Sequence, residues 1–173
     1  MLGTLEPRKN VALALDAFRI LKSQGMELRL VLAGSPSPLL DLEEELRERD
    51  LGPRDVVRTG YGDDARTAAL LAHARLLVFP SLYEGFGMPV LEAMEHGVPV
   101  VAARAGATPE IAGDAAVLVE PHDAEGFADG MSRVAGDEAL RSRLVAAGRQ
   151  RAAQFCWDKA AGEVLGVYHR LAG

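Results

Sequence analysis

The chain has 173 residues, of which 49% are apolar and 25% are charged, a composition that suits one globular domain with a substantial core. Its 19 basic and 25 acidic residues give a net charge of −6, which argues against a general nucleic-acid or anionic-membrane surface. A local basic cluster that holds a small anion remains compatible with this charge.

Short apolar runs, rich in leucine and β-branched residues, alternate with amphipathic stretches along the first two thirds of the chain. This alternation predicts parallel strands joined by right-handed crossovers, with helices on both faces of a doubly wound, Rossmann-like α/β sheet. The predicted strands are residues 28–32, 56–59, 76–79, 98–102 and 116–119.

The first predicted helix begins after Asn10, a residue type that caps helices, and ends at Gly25. Its apolar residues recur at three- and four-residue spacing, which predicts a buried stripe facing the sheet. After residue 123 the strand pattern stops and helices form a C-terminal tail. The further predicted helices are residues 39–51, 63–74 and 89–97, and in the tail about 123–135, 137–153 and 158–172.

Both ends of the chain carry smaller signals. The residues before the first loop are too few for a full strand, so we expect the domain, residues 1–173, to be truncated at its N-terminus. Cys156 is the only cysteine, which excludes an intrachain disulfide, and its Phe-Cys-Trp context predicts a buried core residue. No apolar run approaches the ~20 residues that cross a bilayer.

The segment S-L-Y-E-G-F-G-M-P-V-L-E, residues 81–92, carries two carboxylates around two glycines and a proline. Pro89 suits a first helical turn, so Glu84 is predicted in the loop after strand 76–79 and Glu92 in the first turns of a helix. Gly85 and Gly87 allow positive φ angles and close approach of a ligand. Together with the amide groups of the helix N-terminus, they predict a phosphate site.

Carboxylates on both sides of a phosphate would repel it. They are better explained as acceptors of hydrogen bonds from hydroxyl groups that flank the phosphate, as in a nucleoside diphosphate sugar. A purely structural turn is the alternative, since such turns are common in α/β proteins and Glu92 can favour the helix macrodipole. The spacing alone leaves both interpretations open.

A second cluster, Glu6-Pro7-Arg8-Lys9-Asn10, places two cations at the start of the first helix. Cations there oppose the helix macrodipole by roughly 0.3–1 kcal/mol each, and a bound anion would reverse this cost. The cluster is predicted at the carboxyl edge of the sheet, where ligands of open α/β folds bind. A solvated turn is the structural alternative.

These motifs are typical of a known family. The chain resembles the C-terminal, donor-binding half of the family-4 (group 1) retaining glycosyltransferases, which have the two-domain GT-B fold. The resemblance covers essentially the whole chain, and its most specific part is F-P-S-L-Y-E-G-F-G-M-P-V-L-E-A-M, residues 79–94. Further matching segments are G-T-L-E-P-R-K-N at 3–10, G-V-P-V-V-A at 97–102 and F-C-W-D at 155–158.

The resemblance implies roles for individual residues. Glu84 would hold hydroxyls of the donor sugar, Glu92 the ribose hydroxyls, and Lys9 the diphosphate. The arginine that often follows the glycine of the first loop is Thr4 here, so Arg8 is the candidate replacement. The implied catalytic residues are Glu84, Lys9 and Arg8. The implied donor-binding residues are Gly3, Thr4, Gly60, Tyr61, Gly85, Phe86, Gly87, Met88, Val90, Leu91 and Glu92, with the base near Gly60 and Tyr61 and main-chain amides of 86–91 meeting the sugar and diphosphate.

The resemblance also implies a substrate and a missing partner. The donor would be a GDP-, UDP- or ADP-linked sugar, with no cofactor and no metal, and a hexose would pass to an acceptor hydroxyl. The family's acceptor site lies in an N-terminal domain that this sequence lacks, so we expect the isolated chain to be inactive in transfer. We expect a cytoplasmic protein without a nucleic-acid partner, which contacts the inner face of the membrane only through the missing domain.

Other interpretations stay open. A non-catalytic nucleotide-sugar-binding or regulatory module would share the same pocket. A dehydrogenase-type domain is disfavoured because residues 3–10 lack a Gly-x-Gly-x-x-Gly run. An epimerase or phosphorylase of the same architecture is disfavoured because segment 79–94 resembles the transferase signature.

Overall fold

The computed structural model describes residues 1–172, with side chains described through residue 171. The strands in this part of the chain are β1 (Leu30–Ala33), β2 (Val56–Gly60), β3 (Leu77–Phe79), β4 (Val100–Ala103) and β5 (Ala116–Val119). The helices are α1 (Val11–Ser23), α2 (Leu42–Glu48), α3 (Asp64–Ala72), α4 (Met88–Glu95), α5 (Thr108–Ala112), α6 (Ala124–Gly136), α7 (Glu138–Ala152) and α8 (Trp157–Ala172), with 3-10 turns at Pro7–Lys9 and Gly113–Ala115.

The strands are all parallel, as predicted. β1 pairs with β2, and β4 pairs with β3 on one side and β5 on the other. The ends of each strand differ from the predicted ends by at most two residues. The fold is a doubly wound α/β layer with a helical C-terminal tail.

Alternation along the strands places apolar residues on both faces of the layer. Val78 and Val101 belong to one buried cluster, together with residues of α1 and α6. Leu77 and Val100 belong to a second cluster, which includes residues of α4 and α5. Both clusters contain residues of β1 as well as β3, so the two groups of strands lie side by side in one layer.

The N-terminal segment Met1–Leu5 lies beside β1. Leu2 bridges to Ala33 and Leu5 to Pro36, both in parallel. The amide of Gly3 donates to the Ala33 carbonyl at 2.9 Å. The segment therefore continues the sheet at the carboxyl end of β1, and it leads directly into the first loop.

Gly34 allows the Met1–Leu5 segment to approach β1 closely. A Cβ atom at Gly34 would lie 1.9 Å from the carbonyl oxygen of Gly3. We expect Gly34→Ala to displace the segment and to lower the free energy of unfolding by about 1–3 kcal/mol, the usual cost of overpacking. Urea denaturation measures this change. Gly52→Ala is the matched control, since its Cβ would meet only Asp55 Oδ2 at 3.9 Å, and equal losses in both variants would contradict the expectation.

Two local predictions are wrong. Asn10 precedes α1 but its side chain does not cap the helix: the residue adopts a left-handed conformation with φ of 54°, and its Nδ2 donates to the Pro121 carbonyl at 2.9 Å. Cys156 is exposed rather than buried. It precedes α8, whose apolar residues Trp157 and Leu171 are also exposed. No helix among residues 1–172 is long and apolar enough to span a membrane.

Candidate functional site

The loop that follows β3 carries Glu84 to the carboxyl edge of the sheet, where it meets the first loop. Lys9 Nζ lies 2.6 Å from Glu84 Oε1, and a guanidinium nitrogen of Arg8 lies 3.1 Å from Glu84 Oε2. The amide of Leu82 also donates to the carbonyl of Arg8 at 2.8 Å. The two clusters predicted on one edge are therefore in direct contact, although 75 residues separate Lys9 from Glu84.

Lys9 and Glu84 form a nearly buried ion pair. The Lys9 side chain is 7% exposed and that of Glu84 is 11% exposed. Burial works to raise the pKa of Glu84, but the hydrogen bond from Lys9 and the positive charges of Lys9 and Arg8 hold it below its ordinary value. The Lys9 ammonium also lies 5.2 Å from the centre of the Phe79 ring, a favourable cation–π distance. Glu84 is therefore ionised, and can accept hydrogen bonds but not donate them.

Neighbouring backbone fixes the position of Glu84. The amide of Ala107 donates to the Glu84 carbonyl at 3.2 Å. A Cβ atom at Gly106 would lie 2.8 Å from the Glu84 nitrogen, so only glycine fits against the loop there. The contacts by which Gly106 and Ala107 fix the backbone of Glu84 were not predicted from the sequence.

A cavity of about 480 Å³ opens next to the ion pair. It brings together five of the predicted donor-binding residues from three separate parts of the chain. These are Gly3, Thr4, Gly60, Tyr61 and Glu92. A Cβ atom at Gly3 would lie 3.3 Å from Lys9 Nζ, so the Lys9 ammonium is close to the wall of this cavity.

Other polar residues of the cavity wall were not predicted. Arg66 of α3 and His96, just after α4, line it together with Thr59 and Thr67. The Nδ1 atom of His96 is 2.8 Å from the Glu92 carbonyl. Their signal was weak in the sequence, because a lone Arg or His in a helical stretch is usually a solvated surface residue.

The glycine loop before α4 differs in detail from the prediction. Gly87 has a φ of 99° and precedes the first helical residue, but Gly85 does not adopt a left-handed conformation. The Val90 amide donates to the Gly87 carbonyl at 2.9 Å, and the side chains of Val90 and Leu91 are buried. Phe86 and Met88 are each 43% exposed. None of these residues lines the cavity, so the predicted residues form two adjacent groups.

Arg8 belongs to the Glu84 group. Its guanidinium also contacts Glu6 at 2.8 Å and donates to the Tyr83 carbonyl at 3.1 Å. Thr4 instead lines the cavity, as does Tyr61, which is 80% exposed. Among residues 1–172, no group of three His, Cys, Asp or Glu side chains is placed to hold a metal ion.

Comparison with known proteins decides the family. A family model described as glycosyl transferases group 1 matches residues 1–151. The chain belongs to the group 1 glycosyl transferases. O-antigen chain mannosyltransferase B of Escherichia coli is 35% identical over 171 residues, which cover 98% of this chain and 45% of that protein. This group 1 chain thus spans less than half of that relative's length.

Solved structures agree with the family. The C-terminal domain of a glycosyl transferase group 1 family protein from Francisella tularensis has 27% identity and a TM-score of 0.78, over 88% of this chain and 82% of that one. Anabaena HepE, solved with UDP and glucose, has a TM-score of 0.85 over 97% of this chain and 47% of that one. At 22% identity the second likeness shows the fold alone. The architecture is that of one half of a GT-B glycosyltransferase.

Proposed function

We propose that this chain is the donor-binding half of a retaining hexosyltransferase, which moves a sugar from a nucleoside diphosphate sugar to an acceptor hydroxyl. One observation carries the proposal: the Lys9–Glu84–Arg8 cluster adjoins a cavity whose wall includes Glu92 and Gly60. A charged cluster next to a partly polar cleft suits a ligand that has a diphosphate between two hydroxyl-bearing parts.

In this proposal the nucleoside occupies the cavity. Glu92 accepts hydrogen bonds from the ribose hydroxyls, and the base lies near Gly60 and Tyr61. The diphosphate lies by Gly3, close to the Lys9 ammonium, and the donor sugar lies by Glu84. Support comes from the contact between Gly3 and Lys9, which links the cavity to the ion pair.

The cations would stabilise the departing diphosphate. Lys9 has three N–H donors, and its bond to Glu84 uses one and leaves two for phosphate oxygens. The fixed ammonium is pre-organised for the charge that develops as the sugar–phosphate bond breaks, which is why we propose a metal-independent reaction. Main-chain amides at the start of α4 add positive potential on the same side.

Glu84 acts in this proposal as a positioning acceptor and not as a nucleophile. Both of its carboxylate oxygens are held by cations, one by Lys9 and the other by Arg8. That arrangement lowers the nucleophilicity of the carboxylate and leaves its remaining lone pairs for sugar hydroxyls. Retention would then follow from attack on the face from which the diphosphate leaves.

The acceptor side is proposed to lie on a separate domain. The chain covers 82% of the C-terminal domain of a group 1 protein but only 45% of a full mannosyltransferase. This difference in coverage supports a two-domain enzyme. We propose that the isolated chain binds donor but does not transfer sugar. We propose a cytoplasmic location, with any membrane contact made by the acceptor domain. Mannose is the first sugar to test, given the relative's name, and UDP the first nucleotide, given the ligand of HepE.

We expect Lys9→Met and Glu92→Gln each to raise the Kd for the nucleoside diphosphate, because each removes a polar group that pairs with the ligand. The expected increase is roughly 5- to 150-fold, from the ~1–3 kcal/mol that such a group contributes. Isothermal titration calorimetry of the 173-residue chain with UDP, GDP and ADP measures it. If UDP, GDP and ADP bind neither the unsubstituted chain nor the two variants, the proposal is contradicted.

Two matched controls make the same changes of charge at positions outside the candidate site. Glu95→Gln lies on the same helix as Glu92, is exposed and does not line the cavity. Lys159→Met removes a lysine from α8, which contributes nothing to the cavity wall. Both controls should bind nucleotide as the unsubstituted chain does. A loss of affinity in the controls equal to that in the site variants would point to net charge as the cause.

A further inference from the structure

The short connection between α7 and α8 reaches the glycine loop of the candidate site. The ring of Phe155 contacts the ring of Phe86 edge to face, with the ring centres 5.9 Å apart and the ring planes at 86°. Aromatic pairs prefer this geometry, because the positive edge of one ring meets the negative face of the other. Phe155 also packs against the second buried cluster, whereas Phe86 is exposed on the loop. The contact therefore joins a ring anchored on the core to a ring on the loop.

Arg151, in the last turn of α7, contacts Phe155 as well. Its guanidinium carbon lies 4.8 Å from the centre of the Phe155 ring, a favourable cation–π distance. Its Nε atom donates to the Ile111 carbonyl at 2.9 Å, and a second guanidinium nitrogen donates to the Glu110 carbonyl. Carbonyls at the C-terminal end of a helix have no partner within that helix. One side chain thus caps α5 and holds the ring of Phe155.

The other end of α5 holds Glu84. The amide of Ala107, the residue before α5, donates to the Glu84 carbonyl at 3.2 Å, and Gly106 lies against the Glu84 backbone with no room for a Cβ atom. The Ile111 amide donates to the Ala107 carbonyl at 3.0 Å. This short helix therefore links the carbonyls that Arg151 caps to the backbone that fixes Glu84.

The loop between these two connections has few backbone contacts of its own. Within residues 1–172, no backbone–backbone hydrogen bond involves Gly85 or Phe86. A Cβ atom at Gly85 or at Gly87 would meet no heavy atom of the described chain within 4 Å. Glycine also has the greatest backbone freedom of all residues. The loop is therefore supported from outside, at Glu84 by α5 and at Phe86 by Phe155.

We propose that Arg151 and Phe155 are positioning residues for donor binding. Both lie outside the cavity wall and act through residues 84–87, which they hold in the conformation that receives the sugar and the diphosphate. A loop that is already ordered loses less conformational freedom on binding, and an apparent Kd rises as the competent fraction falls. The inference rests on the proposed function, which assigns the loop to the sugar and diphosphate and the cavity to the nucleoside.

The test separates these two parts of the ligand in the 173-residue chain. Calorimetry measures the Kd of a nucleoside monophosphate and of its hexose-linked diphosphate: UMP with UDP-glucose, GMP with GDP-mannose, or AMP with ADP-glucose, whichever pair the unsubstituted chain binds most tightly. The variants are Phe155→Leu, Phe86→Leu and the two combined, with Phe155→Tyr as the conservative change that keeps the ring. Trp157→Leu is the control, because Trp157 is an exposed aromatic residue two positions after Phe155.

We expect Phe155→Leu to raise the Kd of the hexose-linked diphosphate by roughly 2- to 10-fold, the range set by one aromatic contact, and to leave that of the monophosphate unchanged. Phe86→Leu should do the same, and the combined variant should lose no more than either alone, because both changes remove one contact. Phe155→Tyr and Trp157→Leu should bind as the unsubstituted chain does. NMR relaxation should show faster amide motion at Gly85 and Gly87 in Phe155→Leu.

Arg151→Met should weaken binding of the hexose-linked diphosphate more than Phe155→Leu does, because it releases both connections to the loop. Arg143→Met is its matched control, since Arg143 is an exposed residue of the same helix. Circular dichroism checks that each variant is folded. Phe86 is exposed on a loop, so Phe86→Leu tests the contact even if Phe155→Leu does not fold.

Equal losses of affinity for the monophosphate and the hexose-linked diphosphate in Phe155→Leu would reveal a general disturbance of the domain and overturn the inference. Unchanged Kd values in both Phe155→Leu and Phe86→Leu would overturn it too, while nucleotide binding by the unsubstituted chain would leave the proposed function standing. If the unsubstituted chain binds none of these nucleotides, the proposed function is wrong and the inference falls with it.

Discussion

Replacing Glu84 with alanine is expected to lower the free energy of unfolding by about 3 kcal/mol, because it leaves the Lys9 ammonium without its partner. Lys9 is 7% exposed at its side chain and its ammonium lies 2.6 Å from Glu84. Arg8, at 47% exposure, can turn to solvent, whereas Lys9 cannot without leaving its place over Phe79. Urea denaturation followed by circular dichroism measures the loss.

A double substitution tests whether the stability loss in Glu84→Ala comes from the unpaired charge of Lys9 or from a change in the loop. Lys9→Met combined with Glu84→Leu removes both charges and keeps most of the volume, so it should be more stable than Glu84→Ala alone. Glu43→Ala is the surface control: Glu43 pairs with Arg58 but is 72% exposed, so its loss should cost less than ~1 kcal/mol. Equal stability losses for Glu84→Ala and Glu43→Ala would show that burial adds nothing to the first pair.

The double variant also separates folding from binding. It should fold, and yet it should bind nucleoside diphosphates more weakly than the unsubstituted chain, because it lacks the Lys9 ammonium. The same ion pair therefore has two consequences in the proposal. It satisfies a buried charge in the free protein, and it holds two N–H donors toward the phosphate site.

The positions of the strands can be predicted from the sequence because buried parallel strands leave a simple pattern. Val100–Ala103 has four consecutive buried apolar residues, and the glycine and proline just before it end the preceding helix. Parallel pairing then brings the ends of β3 and of the Met1–Leu5 segment to one edge. This geometry predicts that Glu84 and Lys9 lie near each other, without requiring their side chains to touch.

The details that sequence reasoning missed depend on tertiary contacts. Asn10 is a good capping residue by type, but its side chain reaches Pro121, 111 residues away, instead of the helix. Cys156 has apolar neighbours in sequence, yet Cys156 and Trp157 are exposed, and only Phe155 packs against the second buried cluster. The local sequence pattern predicts that apolar segments are buried. It does not show which face of a terminal helix packs against the rest of the protein.

The division of the candidate site into two groups is a further case. Glu84 and Glu92 are eight positions apart and both follow β3, so the sequence suggests one binding surface. In the structure, Glu84 faces the first loop and Glu92 faces the cavity that Gly60 lines. In the proposed complex, a ligand that contacts both glutamates is therefore extended, and its diphosphate crosses at Gly3.

The Met1 ammonium makes the stability of the 173-residue chain depend on pH in a window above that of its carboxylates. Burial lowers the pKa of this amine from 8.0 to about 5. Between these values the unfolded chain binds a proton that the folded chain does not, so stability falls as the pH falls from 8 toward 5. The upper bound is about 4 kcal/mol, at ~1.4 kcal/mol for each unit of pKa shift.

The carboxylates of Glu84 and Asp55 affect stability in a lower pH range than the Met1 amine does. Their pKa values are lowered from 4.5 and 3.8, so the stability they contribute is lost only as the pH falls below those values. Free energies of unfolding measured at pH 8 and pH 5.5 with free and Nα-acetylated Met1 isolate the amine, because acetylation leaves every side chain unchanged. We expect the acetylated chain to lose less stability across this interval. Parallel losses in the two chains would mean that the amine stays hydrated and keeps its ordinary pKa, because the first residues detach from β1 instead of burying the amine.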